Sequence, residues 1–142
     1  MNDCLKVRRS PGSRLPVRAH PGDLGYDLSS LQQHYIKPGE RKLIETGLVV
    51  EFPEGFGGVI QDRSSLAVKG LHVLAGVIDN GYHGEIKVLL YNLGSEPAGI
   101  NAGERIAQLI PTPVVTWEIT EDRNIDIGAG RGTNGFGSTG SH

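Results

Sequence analysis

One cysteine, Cys4, stands among 142 residues. A lone cysteine closes no internal disulfide, so packing and hydrogen bonding have to hold the fold, and a reducing compartment, the cytoplasm, is expected. No apolar run approaches the roughly 20 residues of a membrane span, and the opening residues lack the apolar core of a secretion signal. Basic residues are not in excess: 14 Lys and Arg face 16 Asp and Glu, a formal net charge of −2. That balance excludes the basic surface with which proteins grip nucleic acid. The five histidines have no metal-ligand spacing, there is no G-x-x-x-x-G-K-[ST] phosphate loop, and no internal repeat. What the chain has instead is 21 glycines and 8 prolines. In one core-forming domain of this length, that density of turn residues predicts many short strands, an all-β barrel or sandwich.

In chain order, strands are expected at Leu5–Arg9, after the Pro21–Gly25 turn, at His34–Ile36, at Arg41–Ile44 and Thr46–Phe52, at Phe56–Gln61, at Glu85–Leu93, at Pro97–Ile100, at Arg105–Pro111 and at Val114–Thr120. Ser64–Lys69 is the helix candidate, with Ser64 or Ser65 as N-cap and Gly70 as its stop. Its N-terminus and the neighbouring Arg63 offer an anion site or an ordinary capped turn. Gln108 interrupts an apolar strand, so it needs a hydrogen-bond partner, either backbone or ligand.

The stretch Gly76–Val88 reads as a hairpin, because Asn80-Gly81 tolerates the positive φ of tight hairpin turns. Asp79 and Tyr82 fall at its tip. An acid beside an aromatic can grip a small ring and activate water, or can serve the turn alone. From Asp122 the character changes. Residues 128–140 are nearly half glycine, too flexible to hold one conformation unaided, yet carry Arg131 and Phe136. The division expected is a barrel domain over 1–121 and a glycine-rich arm over 122–142.

Five stretches, in order, resemble the five motifs of the trimeric deoxyuridine triphosphatases: Gly22–Leu28, Arg63–Ala67, Gly76–Gly84, Gly103–Ile110 and Arg131–Gly140. The resemblance covers nearly the whole chain. It implies a jelly-roll-like β-barrel, a homotrimer with active sites at subunit interfaces, and Mg²⁺-assisted hydrolysis of dUTP to dUMP and pyrophosphate. That reaction limits uracil in DNA and supplies dUMP for thymidylate synthesis. Residue by residue, it implies Asp79 as general base and Tyr82 as the deoxyribose platform that rejects a 2′-hydroxyl. It assigns uracil to backbone groups of Gly76, Val77, Ile78 and the region of Lys87, and phosphates to Arg63, Ser64, Ser65 and Gln108. Asp27 is placed near the metal's waters, the metal being held mainly by substrate phosphates. Arg131, Phe136 and Gly137 belong to the closing arm, with Arg131 on the γ-phosphate and Phe136 stacked on uracil.

Three positions depart from the family pattern. Asp62 stands where Pro or Gly is common and sets an acid beside the phosphate motif unless it pairs elsewhere. His83 and Asn134 replace a frequent Arg and Gly. The nearest rival is a dCTP deaminase, which shares the fold but needs a carboxylate at position 89, where this chain has Leu89. A catalytically silent binding module on the same fold is the other.

Overall fold

The computed structural model describes residues 3–128, 130, 132, 133 and 135. In order the elements are β1 (Lys6–Arg9), β2 (Tyr26–Ser29), β3 (His34–Ile36), β4 (Arg41–Glu51), β5 (Phe56–Asp62), α1 (Ser64–Ala67), β6 (Leu71–Leu74), β7 (Val77–Ile78), β8 (Ile86–Asn92), β9 (Ala98–Ile100) and β10 (Arg105–Pro113). They form two four-stranded sheets, β1-β4-β8-β6 and β2-β10-β5-β7, and the pair β3-β9. Every pairing of these strands is antiparallel. This is the expected all-β, jelly-roll-like architecture with one short helix.

The patterning explains the layers. In β8, Ile86, Val88, Leu90 and Asn92 are buried while the residues between them are not, the period-2 signature of a strand with one face on the core. The core is largely aliphatic, with Leu28, Ile36, Ile44, Leu48, Val88, Ile100 and Leu109 fully buried. Each such side chain contributes about 1.5–3 kcal/mol of transfer free energy. Asn92 is the polar exception, and it is satisfied. Its amide donates to the carbonyls of Ile36 and Glu96, and its oxygen accepts the Gly94 N–H, so it pins the end of β8 to the end of β3 and to the loop that follows β8.

Several expectations are corrected. The 80–81 turn is not a hairpin. β7 pairs with β5 in one sheet, and β8 pairs with β4 and β6 in the other, so the turn carries the chain between sheets. Asp79 O accepts the Tyr82 N–H at 3.2 Å, and of the two central residues only Gly81 has positive φ, +93°. That is the pattern of a type II turn, whose twist does not suit a two-residue hairpin. The two strands expected at 41–44 and 46–52 are one strand, β4, interrupted by a bulge between Glu45 and Leu48. The bulge's spare groups are satisfied: Gly47 N–H donates to the Glu85 carboxylate, and Thr46 Oγ1 accepts the Leu48 N–H while donating to Ile86 O. β6 was not expected. The helix covers only Ser64–Ala67, and its N-cap is Arg63, in extended conformation with no side-chain cap bond. The strand expected at Val114–Thr120 is absent: β10 ends at Pro113, and Trp117 is 83% exposed.

Glu45, which faces Lys87 across β4–β8, has its carboxyl held below the usual glutamate value of 4.5. A backbone hydrogen bond within Glu45 is the main cause. His34, 3.0 Å away, and Lys87 add to it against the opposing effect of burial. A carboxylate with a depressed folded-state pKa contributes stability above its unfolded value, and loses it as pH falls through the folded one. Glu45→Gln should therefore lower Tm at neutral pH, with the gap to wild type closing as the pH falls below the usual glutamate value and through the lowered folded-state one. Thermal melts of both proteins across that range check this, and a gap independent of pH would rule it out.

Candidate active site

The inter-sheet turn places Asp79 and Tyr82 at a cavity of about 370 Å³, whose wall also includes Gly76, Val77, Ile78, Lys87, Val73 and Leu89. The turn is tethered: the Asn80 amide donates to Pro53 O and Phe56 O, and the Tyr82 hydroxyl to Glu85 O at 2.9 Å. Tyr82 is 47% exposed, so its ring is fixed by the hydroxyl and free on a face. Asp79 is exposed. Two residues before β7, Ala75 holds a φ of +59°, a conformation that costs a non-glycine residue about 1–2 kcal/mol. Beside it, Gly76 O accepts the Ile60 N–H, which fixes the backbone entering the cavity.

A second cluster sits on the sheet containing β10. Asp27 receives two guanidinium groups: Arg63 Nε at 3.2 Å on Oδ1 and Arg105 Nη1 at 3.3 Å on Oδ2. Arg63 also donates to Arg105 O. Two cations on one carboxylate leave a net positive charge, beside a helix start whose first N–H groups have no intrahelical acceptor. Ser64 and Ser65 are exposed there. Arg105 is a site residue that the sequence reading left without a role. A bulge in β10 puts it there. Arg105 pairs with Ser29 and Ala107 with Leu28, so Ile106 is the extra residue, and Ile106 and Ala107 are both buried. In regular alternation Arg105 would point into the core; the bulge returns it to the side of Asp27.

Gln108 lies opposite Asp27 on β2 and Gln61 on β5. Its partner is backbone: Nε2 donates to Asp62 O at 2.8 Å. Its side chain passes over Gly25, where a Cβ would collide with Gln108 Oε1, Cβ and Cδ. Asp62 does pair elsewhere. Its carboxylate accepts the Val73 N–H and contacts His72 Nδ1, both at 2.5 Å.

The structure thus sorts the expected residues into two groups. Asp79, Tyr82, Gly76, Val77, Ile78 and Lys87 share the cavity. Asp27, Arg63 and Gln108 gather near the helix start with Ser64 and Ser65, and none of these lines that cavity. Arg131, Phe136 and Gly137 lie outside the described residues. For a magnesium ion, the described residues hold no group of three or more His, Cys, Asp or Glu, so a protein-only cage is not what they offer. Asp27 still fits an outer role. Each carboxylate oxygen takes one arginine and keeps a second lone pair for a metal-bound water.

A fold of this topology with an acid and an aromatic at one cavity, and a net positive cluster on a neighbouring strand, defines a nucleotide-handling β-barrel. The family model described as dUTPase matches residues 12–140, and the chain belongs to the dUTPase family. It is 45% identical over 144 residues to the deoxyuridine 5'-triphosphate nucleotidohydrolase of Mycobacterium leprae, covering 96% of this chain and 94% of that protein. The protein of that name from Clostridium novyi is 45% identical, covering 89% and 90%. Among solved structures, a Staphylococcus bacteriophage 80alpha dUTPase with dUpNHpp superposes with a TM-score of 0.86 at 30% identity, covering 96% of this chain and 98% of that one. A dUTPase from phage phi11 of S. aureus, whose structure shows a structural Mg(II) ion, reaches 0.79 at 28% identity, covering 87% and 99%.

Gly25 gives a direct test of how Gln108 is seated. Gly25→Ala should push Gln108 off the Asp62 carbonyl and lower dUTP turnover at least as far as Gln108→Ala does, by about 3- to 10-fold for one lost neutral hydrogen bond. Steady-state kinetics of the two variants check it. Wild-type kcat in Gly25→Ala would show that the seat of Gln108 does not matter.

Proposed function

We propose that this chain hydrolyses dUTP to dUMP and pyrophosphate. The observation that carries the reading is Asp79 beside Tyr82 at the mouth of a backbone-lined cavity, in a chain of this family. Uracil enters the cavity and is read by backbone groups of Gly76, Val77 and Ile78 and near Lys87. The deoxyribose packs on Tyr82, whose ring leaves no room for a 2′-hydroxyl. Asp79 takes a proton from a water, the water oxygen bonds to the α-phosphorus, and the α–β bridging P–O bond breaks with pyrophosphate leaving. Arg63, Ser64, Ser65 and Gln108 hold the phosphates, and the charge that grows on them in the transition state is met by Arg63 and backbone N–H groups. Arg131 and Phe136 of the arm, with Gly137, close over the γ-phosphate and the base. When bound, mainly by the phosphates, Mg²⁺ would neutralise charge and polarise the phosphoryl oxygens, and Asp27 is the side chain that would hold it, through water.

Because no residue of the arginine cluster lines the uracil cavity, we read the active site as shared between copies in a homotrimer. The exposed, alternating Val115, Trp117 and Ile119 supply an apolar face for such an assembly. No helix among the described residues is long and apolar enough to cross a membrane, and the cytoplasm is the compartment we assign. A deaminase needs an acid where Leu89 stands, and Leu89 lines the cavity. Against a silent binding module stands the intact set Asp79, Tyr82, Arg63, Gln108, Arg131 and Phe136.

Pyrophosphate release from dUTP with Mg²⁺ is the deciding assay, and its absence defeats the reading. Asp79→Asn should keep fold and nucleotide binding while losing about 10²–10⁴-fold in kcat; near wild-type turnover would remove Asp79 from the role. Sharing of the site is checked by refolding Asp79→Asn together with Gln108→Ala. In random trimers about one quarter of sites receive both intact residues, so activity should rise well above the average of the two variants measured alone. A mixture no more active than that average would place each site within one chain.

A further inference from the structure

We propose that Asp62 is a positioning residue for the phosphate side of the active site, acting through Gln108; the inference rests on the reading of Gln108 as a phosphate contact. Asp62 ends β5, at the corner where Arg63, still extended, turns the chain into the helix. Such a corner has little to hold it, because the strand ladder stops there and a four-residue helix is too short to be stable alone.

Asp62 supplies the missing anchors. One carboxylate oxygen accepts the Val73 N–H and the other contacts His72 Nδ1, so the side chain is bound to β6 at two points. The side chain is 27% exposed and His72 is 50% exposed, so the bond to the Val73 backbone is the better shielded of the two. Its own register partner on β10 is Ala107. With side chain and strand both fixed, the Asp62 carbonyl has one direction, and that carbonyl holds Gln108 Nε2. From the opposite side, the lack of a Cβ at Gly25 makes room for the same glutamine. Gln108 is thereby presented in a single pose, and the entropy of ordering it is met before substrate arrives. The acid that stands beside a phosphate motif does not repel phosphate as a bare charge there, since its oxygens face β6.

The test uses the full chain with dUTP and Mg²⁺: kcat, KM and Tm for Asp62→Ala, Asp62→Asn, Gln108→Ala and the Asp62→Ala/Gln108→Ala pair. Asp62→Ala should lose about 3- to 10-fold in kcat, with KM less affected. Asp62→Asn keeps an oxygen for the Val73 N–H and should recover to within about 2-fold of wild type. The double variant should be no slower than Gln108→Ala, because both changes remove one function. A merely structural acid would give losses that multiply, or a Tm loss without a kcat loss, and either outcome overturns the proposal, as does wild-type kcat in Asp62→Ala. Should Asp62→Ala not fold, Asp62→Ser, too short to reach the Val73 N–H, takes its place with the same expectations. A Gln108→Ala variant as fast as wild type defeats the phosphate reading of Gln108 itself, whereas a slow one with multiplying losses defeats only the positioning role.

Discussion

The pairing of β10 with β2 on one side and β5 on the other is the constraint on which the arginine cluster and Gln108 depend. It sets Gln108 opposite Asp27 and opposite Gln61 at one level of the sheet, three segments far apart in sequence. Side chains alternate with period 2, so a slip of one residue would send Gln108 into the core and Ala107 to the surface. Leu28, Ala107 and Leu109 are fully buried, and that burial is what makes the slip costly. The bulge at Ile106 then breaks the alternation at the one place where an arginine has to face outward. Register delivers Asp27 and Gln108, and a single extra residue delivers Arg105.

Charge in this cluster is arranged by subtraction. Asp27 alone would repel a triphosphate; with Arg63 and Arg105 on its two oxygens the group is a cation with fixed geometry. Its side chain is 18% exposed against 45% for Arg105, so the attraction is less screened than in a surface pair, which contributes only about 0–1 kcal/mol. The stability of the fold does not rest on it, since one buried leucine exceeds that. What the pairs contribute is orientation. Asp62 follows the same logic with a different partner: β6 takes its charge, and the backbone it steadies is what reaches the site.

The fold class, most strands and the family were legible because each is written locally, in turn residues, period-2 runs and short motifs. What was not legible was partner choice. Asn80-Gly81 was read as a hairpin because both residues accept positive φ, but only Gly81 adopts it, and β7 and β8 find partners in different sheets. β6, Leu71-His72-Val73-Leu74, has one polar residue in four and merged with the apolar run after it. Val114–Thr120 has a strand's alternation, yet alternation records a surface to be covered, not what covers it. In the single chain Val115, Trp117 and Ile119 are exposed. The use of Gln108 was half legible: a polar residue in an apolar strand had to have a partner, but only the fold shows that the partner is the Asp62 carbonyl.

The two ends of the proposed substrate call for different physics, and the chain divides accordingly. A neutral base is distinguished by directional hydrogen bonds, which weaken steeply with misalignment, and the cavity proposed for it is walled by segments held in two sheets, with the turn tied by Asn80 to Pro53 O and Phe56 O. A triphosphate is held by charge, which acts over several ångströms and tolerates displacement. Side chains, a helix start and an arm can supply it. The exception is Gln108, a neutral amide among the proposed phosphate contacts. An amide has no net charge with which to reach, so it has to be placed. That is why Gly25 below it and Asp62 behind it matter more than their distance from the chemistry would suggest.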